Sequence, residues 1–199
     1  MDLSIYINSI KSFSILKNLK YPWDITDRAE EIIEKLIKSL NAEFRIEGKI
    51  AVHKSSTVEP YVTLKGPVVV GENCLIASGA YLRGGVFLER GVKIGPSCEI
   101  KSSFVFAHTA LAHFNYVGNS LIGSNVNLEA GSVIANHFNE REDKTIRVKI
   151  ERQEIVASTN KFGALVGDDS KIGANAVLSP GTILVPKSVV GRLELVKGI

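Results

Sequence analysis

VHKSSTVEPYVTLKGPVVVGENCLIASGAYLRGGVFLERGVKIGPSCEIKSSFVFAHTALA, residues 52–112, carries an apolar side chain at every sixth position. The series is Val52, Val58, Leu64, Val70, Ile76, Leu82, Leu88, Ile94, Ile100, Phe106 and Ala112. An amphipathic helix would drift on a 3.6-residue period and a strand would alternate with period two, so neither accounts for it. The period resumes as Val117, Ile122, Leu128 and Ile134, with five-residue steps placed at 112–117 and 117–122, and again as Val166, Ile172, Leu178, Leu184 and Val190. A short fixed repeat means a solenoid whose units bury their apolar faces only by stacking on their neighbours. Period six predicts an all-β left-handed parallel β-helix, in which three hexads make one triangular coil.

Composition agrees with a narrow prism. Hydrophobic residues make up 45% of the 199 residues, charged ones 23% and aromatic ones only 7%, which suits an interior of Val, Ile and Leu. Gly71, Gly95, Gly123, Gly167 and Gly173 each follow a core residue of the repeat, and the expectation for them is a corner with positive φ. The net charge of +3 comes without a basic run, which excludes nucleic acid as the expected partner but suits a small anion. Cys74 and Cys98 each stand two residues before a core position, so they read as reduced packing residues rather than a disulfide or metal motif. No signal peptide or apolar membrane span is visible, and a cytoplasmic location is expected.

Residues 1–46 fall outside the repeat. The stretch LSIYINSIKSFSIL (3–16) suggests a strand followed by a turn or short helix, and Pro22 and Trp23 a connector. RAEEIIEKLIKSL (28–40) predicts a helix over about 27–40 with Thr26 or Asp24 as N-cap, expected to cover the end of the first coil. The β-helix proper is expected over 47–199. An inserted arm at about 137–160 breaks the hexads, keeps the alternation of TIRVKI (145–150), and is expected to project as a hairpin.

The densest polar constellation is AHFNYVGNSLIGSNVNLEAGSVIAN (112–136). Departures from a repeat tend to mark function. Together with Lys101 in EIKSS and with NKFGALVGDD (160–169), this stretch resembles the acetyltransferase domain of the bifunctional glucosamine-1-phosphate acetyltransferase/N-acetylglucosamine-1-phosphate uridylyltransferase family. It is more similar still to archaeal-type sugar-1-phosphate nucleotidylyltransferases with the same acetyltransferase end, over about 50–190. That resemblance implies acetyl-CoA as co-substrate with no metal required, an amino-sugar 1-phosphate (glucosamine or galactosamine 1-phosphate) as acceptor, and a homotrimer with clefts between subunits.

Carried onto this chain, the resemblance makes His113 the general base, supported by Glu99. Arg83 and Lys101 bind the phosphate, and their separation of eighteen residues independently puts them on one edge, one coil apart; two cations there suit a dianion. Tyr116 and Asn127 fall on sugar- and phosphate-contacting positions, and Asn136 on one near the acetyl group. Ala130 falls where a backbone N–H faces the developing oxyanion, and Ala174 where backbone and small side chains hold the thiol end of the cofactor. Arg141 and Lys144 fall near two assisting basic residues of the archaeal-type arm, and Lys161 on a substrate-proximal lysine. Solvated surface charge or simple packing is the alternative at each position.

Two departures stand out. Glu129 puts a carboxylate where the bacterial pattern has Gly, and the 46 leading residues hold neither a nucleotidyltransferase domain nor a Gly-rich phosphate loop. Either the chain only acetylates, leaving nucleotidyl transfer to a separate nucleotidyltransferase, or it is a remnant with a different acceptor. Two other readings stay open: a non-catalytic nucleotide-sugar-binding or scaffold remnant, and a γ-class carbonic anhydrase-like metal enzyme in which His108 and His113 are ligands but Glu72 stands where the third histidine belongs.

Overall fold

A computed structural model describes residues 1–16, 19–150 and 153–198; residues 151 and 152 of the expected arm lie outside it. The hexads fold as the period requires. Each coil contributes one short strand to each of three faces, and successive coils pair in parallel. On the first face Ile50–Val52 pair with Val68–Val70 and these with Val86–Leu88. The second face is a separate seven-stranded sheet, and on the third Thr63–Lys65 pair with Tyr81–Arg83 and these with Glu99–Lys101. The inward column of Val, Ile and Leu, with Cys74 and Cys98 within it, forms one continuous buried core. Burial pushes both thiols above their ordinary pKa, so they stay protonated and inert. No helix among the described residues is long and apolar enough to cross a membrane.

The inward series departs from the expected one at two residues. Val105 and Leu111, not Phe106 and Ala112, continue the core, because the first five-residue step falls at 100–105 rather than at 112–117. Both short steps lie at the same corner, between the third and first faces. There Arg83-Gly84-Gly85-Val86 makes the long turn with a register shift, whereas Ser102 and Asn119 close shorter ones at φ 48° and 46°. Phe106 hides the slip because it is also fully buried, but outside the prism. The five glycines that follow core residues do not have positive φ. They make room for the next coil instead: a Cβ on Gly71 would lie 2.8 Å from the Leu88 carbonyl oxygen and one on Gly173 2.6 Å from the Arg192 nitrogen.

The first face carries apolar residues outward as well as inward. Ala51, Val69, Phe87, Phe104, Leu121 and Leu165 form a buried outer ladder under a second core. Its cover is the N-terminal segment together with the arm. Residues Leu3–Ile5, Asn8–Ser12 and Ser14–Leu16 are 3-10 turns rather than a strand. The expected single helix is two: α1 (Pro22–Asp27), which takes in the supposed connector, and α2 (Ala29–Ile37). Arg28, at φ −102° and ψ 17°, breaks them apart. Asp24 does cap, but from inside α1, where its carboxylate accepts the Tyr21 N–H at 3.0 Å. Both helices lie along the flank of the prism. The edge of the first coil is extended instead by strand β1 (Phe44–Glu47), antiparallel to β2 (Ile50–His53).

The arm does form an antiparallel hairpin, Arg147–Ile150 with Gln153–Val156. It does not project. Ile146 and Val148 are fully buried in the outer core, so the alternation TIRVKI marks a strand with one face packed down.

The outer core predicts a large stability effect far from any polar residue. Phe104→Ala leaves a cavity between the ladder and its cover and should cost about 3–5 kcal/mol, read as a lower denaturant midpoint. Gly85→Ala should also destabilise: its φ is 89° and a Cβ there would lie 2.6 Å from Ala29 and Glu30 of α2.

Candidate functional site

Stacking turns equivalent residues of successive coils into columns about 4.8 Å apart per coil. At the corner between the third and first faces the column is cationic. Lys65, Arg83 and Lys101 are successive strand partners. The carboxylate of Glu99 accepts Arg83 Nε at 2.8 Å and Nη2 at 2.6 Å through one oxygen. Lys101 is in no ion pair among the described residues, and its pKa is pushed down by burial and by the nearby charges of Lys161 and Arg83. Lys161, reached across the arm, is therefore brought to this corner as expected. Lys65 belongs to the same column by the same rule, since it precedes Arg83 by the eighteen residues that separate Arg83 from Lys101.

On the third face beside this column, Tyr116 is the strand partner of Glu99. Its hydroxyl donates to Asn136 Oδ1 at 3.3 Å, and Asn136 Nδ2 donates to Asn119 Oδ1 at 2.6 Å. Burial, and then the Glu99 charge, raise the phenol pKa. Asn136 is thus held from two sides below Tyr116, and Asn119 is a member that the motif did not single out. A cleft of about 290 Å³ opens at the same corner, lined by Lys101, Ser102 and Asn119 of the coils, by Thr159 and Lys161 at the end of the arm, and by Thr26, Asp27 and Glu30 of the helices.

The opposite corner, between the second and third faces, gathers a second group. Pro96, His113, Ala130, Ala174 and Arg192 occupy one column. Phe114 N–H donates to the Pro96 carbonyl, Gly131 N–H to that of His113, Asn175 N–H to that of Ala130 and Leu193 N–H to that of Ala174, all at 2.8–3.1 Å. At this turn position the N–H points outward, and its partner differs from coil to coil. Ser78 N–H is capped by Glu59 at 2.8 Å and Ala174 N–H by Glu129 at 2.9 Å. Among the described residues, the N–H groups of the adjacent members His113 and Ala130 make no hydrogen bond. The Glu129 carboxylate also holds Arg192 at 2.9 and 3.2 Å, and those bonds keep its pKa low. Its charge is therefore turned along the column and neutralised. Since Ala174 has given its N–H to Glu129, only its methyl group and flat backbone remain for a ligand.

Several expected associations are absent. Glu99 is bonded to Arg83 and not to His113, whose imidazole is exposed. Asn127 lies exposed on the second face between Ala110 and Lys171, away from Tyr116 in the same chain. Lys144 donates to the Phe138 and Asn139 carbonyls at 2.8 Å, and Arg141 stacks 3.7 Å over the Phe138 ring. Both arm cations fasten their own loop rather than reaching the cleft. His108 and His113 end at opposite corners of one second-face strand, Ala110–Leu111, so they do not converge within the chain.

Comparison with known proteins places this geometry. Residues 46–156 match the family described as the GMPPB C-terminal domain, and residues 163–191 match the hexapeptide repeat of succinyl-transferase. A bifunctional sugar-1-phosphate nucleotidylyltransferase/acetyltransferase of Sulfurisphaera tokodaii is 31% identical over 166 residues, covering 80% of this chain and 41% of that protein. The bifunctional protein GlmU of Methanocaldococcus jannaschii is 28% identical over 194 residues, 88% of this chain and 43% of that one. The GlmU of Janthinobacterium sp. (strain Marseille) is 34% identical over 162 residues, 79% and 34% respectively. The chain spans less than half the length of these relatives. Among solved structures, a variant of the N-acyltransferase AntD from Bacillus cereus, in complex with dTDP-4-amino-4,6-dideoxyglucose and coenzyme A, is similar at TM-score 0.38 and 15% identity, covering 75% of this chain and 71% of that one. With a family match extending over more than half of its length, this chain belongs to the family of the GMPPB C-terminal domain.

Proposed function

We propose that the protein transfers an acetyl group from acetyl-CoA to the amine of an amino-sugar 1-phosphate. The observation that carries this reading is that one face separates a cationic corner from a column holding an exposed imidazole and two free N–H groups. Lys101, Lys161 and the Glu99-held Arg83 take the phosphate. The sugar then lies over Tyr116, whose hydroxyl is anchored on Asn136, with its 2-amino group directed toward His113.

Acetyl-CoA supplies the thioester on which the amine acts. His113 accepts the proton that the nitrogen loses and returns one to the departing sulfur. The N–H of Ala130, with that of His113 beside it, faces the negative charge that develops on the carbonyl oxygen. Ala130 and Ala174 keep the column low enough for an extended ligand to lie along it. Asn127 reaches the same acceptor only from a neighbouring copy, the place that a homotrimer gives it. A separate nucleotidyltransferase would use the product.

His113→Ala should lower kcat for acceptor-dependent thiol release by about 10²–10⁴-fold while Tm is retained; unchanged turnover removes His113 as base. Lys101→Ala should raise KM for the phosphorylated acceptor more than it lowers kcat. The bond between Glu99 and Arg83 favours a second reading, a site that binds the ligand without turning it over. Binding with no thiol release from either glucosamine or galactosamine 1-phosphate would select that reading.

Lys101 adds a stability test. Its folded-state pKa is the lower one, so the charged form costs stability at neutral pH, and that cost is relieved only as pH rises through the lowered value. A bound dianion offsets it at pH 7. Inorganic phosphate should therefore raise Tm, and the rise should shrink in Lys101→Ala. An equal rise in both would place the anion elsewhere.

A further inference from the structure

The cleft behind Lys101 has two walls of opposite charge. Lys101 stands on the coils and Lys161 on the segment returning from the arm, where its N–H donates to Thr159 at 3.2 Å, while Asp27 and Glu30 come from the junction of α1 and α2. No ion pair among the described residues joins the two walls, and the charges that act on Lys101 include those of Lys161, Arg83 and Glu99. The acidic wall is fixed. Thr159 donates to Asp27 Oδ1 at 3.1 Å, and α2 sits so close to the corner that a Cβ on Gly85 would meet Ala29 and Glu30 at 2.6 Å. Desolvation, opposed by the Thr159 hydrogen bond, raises the Asp27 pKa above its ordinary value.

We propose that the N-terminal helices are the back wall of the acceptor pocket, and that Asp27 and Glu30 restrict it to a terminal phosphate monoester, rejecting nucleoside-diphosphate-linked sugars. The inference rests on the reading of Lys101 and Lys161 as the phosphate-binding pair. With the sugar ring over Tyr116, the free oxygens of the phosphate face the cleft, and whatever is esterified to them extends around the corner onto the first face. That path ends at the two carboxylates. Two lysines match one dianion; a second phosphate finds no further cation in the cleft and two like charges against it. The other way out runs up the corner to Arg83, which is already shared between Glu99 and the first phosphate and leaves no charge for a second. The segment ahead of the coils thus sets specificity in addition to covering the flank.

Equilibrium titration with glucosamine 1-phosphate and with UDP-glucosamine tests this without requiring turnover. The unmodified protein should prefer the monoester by about tenfold or more. The double variant Asp27→Asn with Glu30→Gln should narrow that ratio by about tenfold. The amide introduced at position 27 still offers an oxygen to Thr159, and thermal unfolding reports whether the wall stays in place. Equal affinities in the unmodified protein overturn the proposal, as does an unchanged ratio in a folded double variant. Lys101→Ala separates the two levels. If it leaves monoester binding intact, the phosphate reading fails and takes the wall with it. If it abolishes monoester binding while the double variant leaves the ratio unchanged, only the wall fails. Tighter binding of UDP-glucosamine that weakens in Lys65→Ala would instead assign the corner column to a diphosphate.

Discussion

Parallel pairing of each coil with its neighbours, seventeen or eighteen residues away except across the inserted arm, is the interaction on which everything else here depends. No coil can bury its apolar side chains or satisfy its strand N–H and C=O groups alone. The stack converts a linear repeat into vertical columns, and chemistry becomes a question of which column a residue occupies. Arg83 and Lys101 meet because their separation equals one coil. His113, Ala130 and Ala174 share a corner for the same reason, although 44 residues separate the last two across the inserted arm.

Columns also explain how one site can hold groups that never touch. The outward N–H at the corner of the second and third faces recurs in each coil, and the side chain two positions after the core residue decides whether an N–H exists there at all, as Pro96 shows. A glutamate one residue earlier in the preceding coil decides whether it is free: Glu59 and Glu129 close Ser78 and Ala174. Ala112 stands at the glutamate position one coil above Ala130, so the open donor follows from the lack of a carboxylate as much as from any residue that is present.

The fold was legible because period six is a property of local sequence. Its register was less so: Phe106 and Ala112 are apolar for reasons other than the inner core, and a one-residue contraction beside apolar neighbours leaves no gap in the pattern. The outer ladder Val69, Phe87, Phe104 and Leu121 was present in the sequence at the same spacing and tells of a covered face, but what covers it lies in a segment with no repeat. The helix break at Arg28 and the folded-down arm both follow from docking onto that ladder, where tertiary packing overrides local propensity. Of the site, residues related by the coil period could be found together. The Arg83–Glu99 bond and the acidic wall from Asp27 could not, because the first depends on competition among neighbours for one carboxylate and the second joins segments with no common period.

Tyr6 and Asn8 both bind Asp168, through its N–H at 2.9 Å and its carboxylate at 2.9 Å. Residues translated early therefore wait for some 160 others before their partner exists. The coils pair with one another through contacts of shorter sequence range, and α2 packs on the strand Tyr81–Leu88 without any contribution from Asp168. Closing so long a loop costs more chain entropy than pairing one coil with the next. Asp168 thus ties the N-terminal turns to the coils beyond the arm, and the outer apolar stripe is closed by segments that lie on either side of it in the sequence.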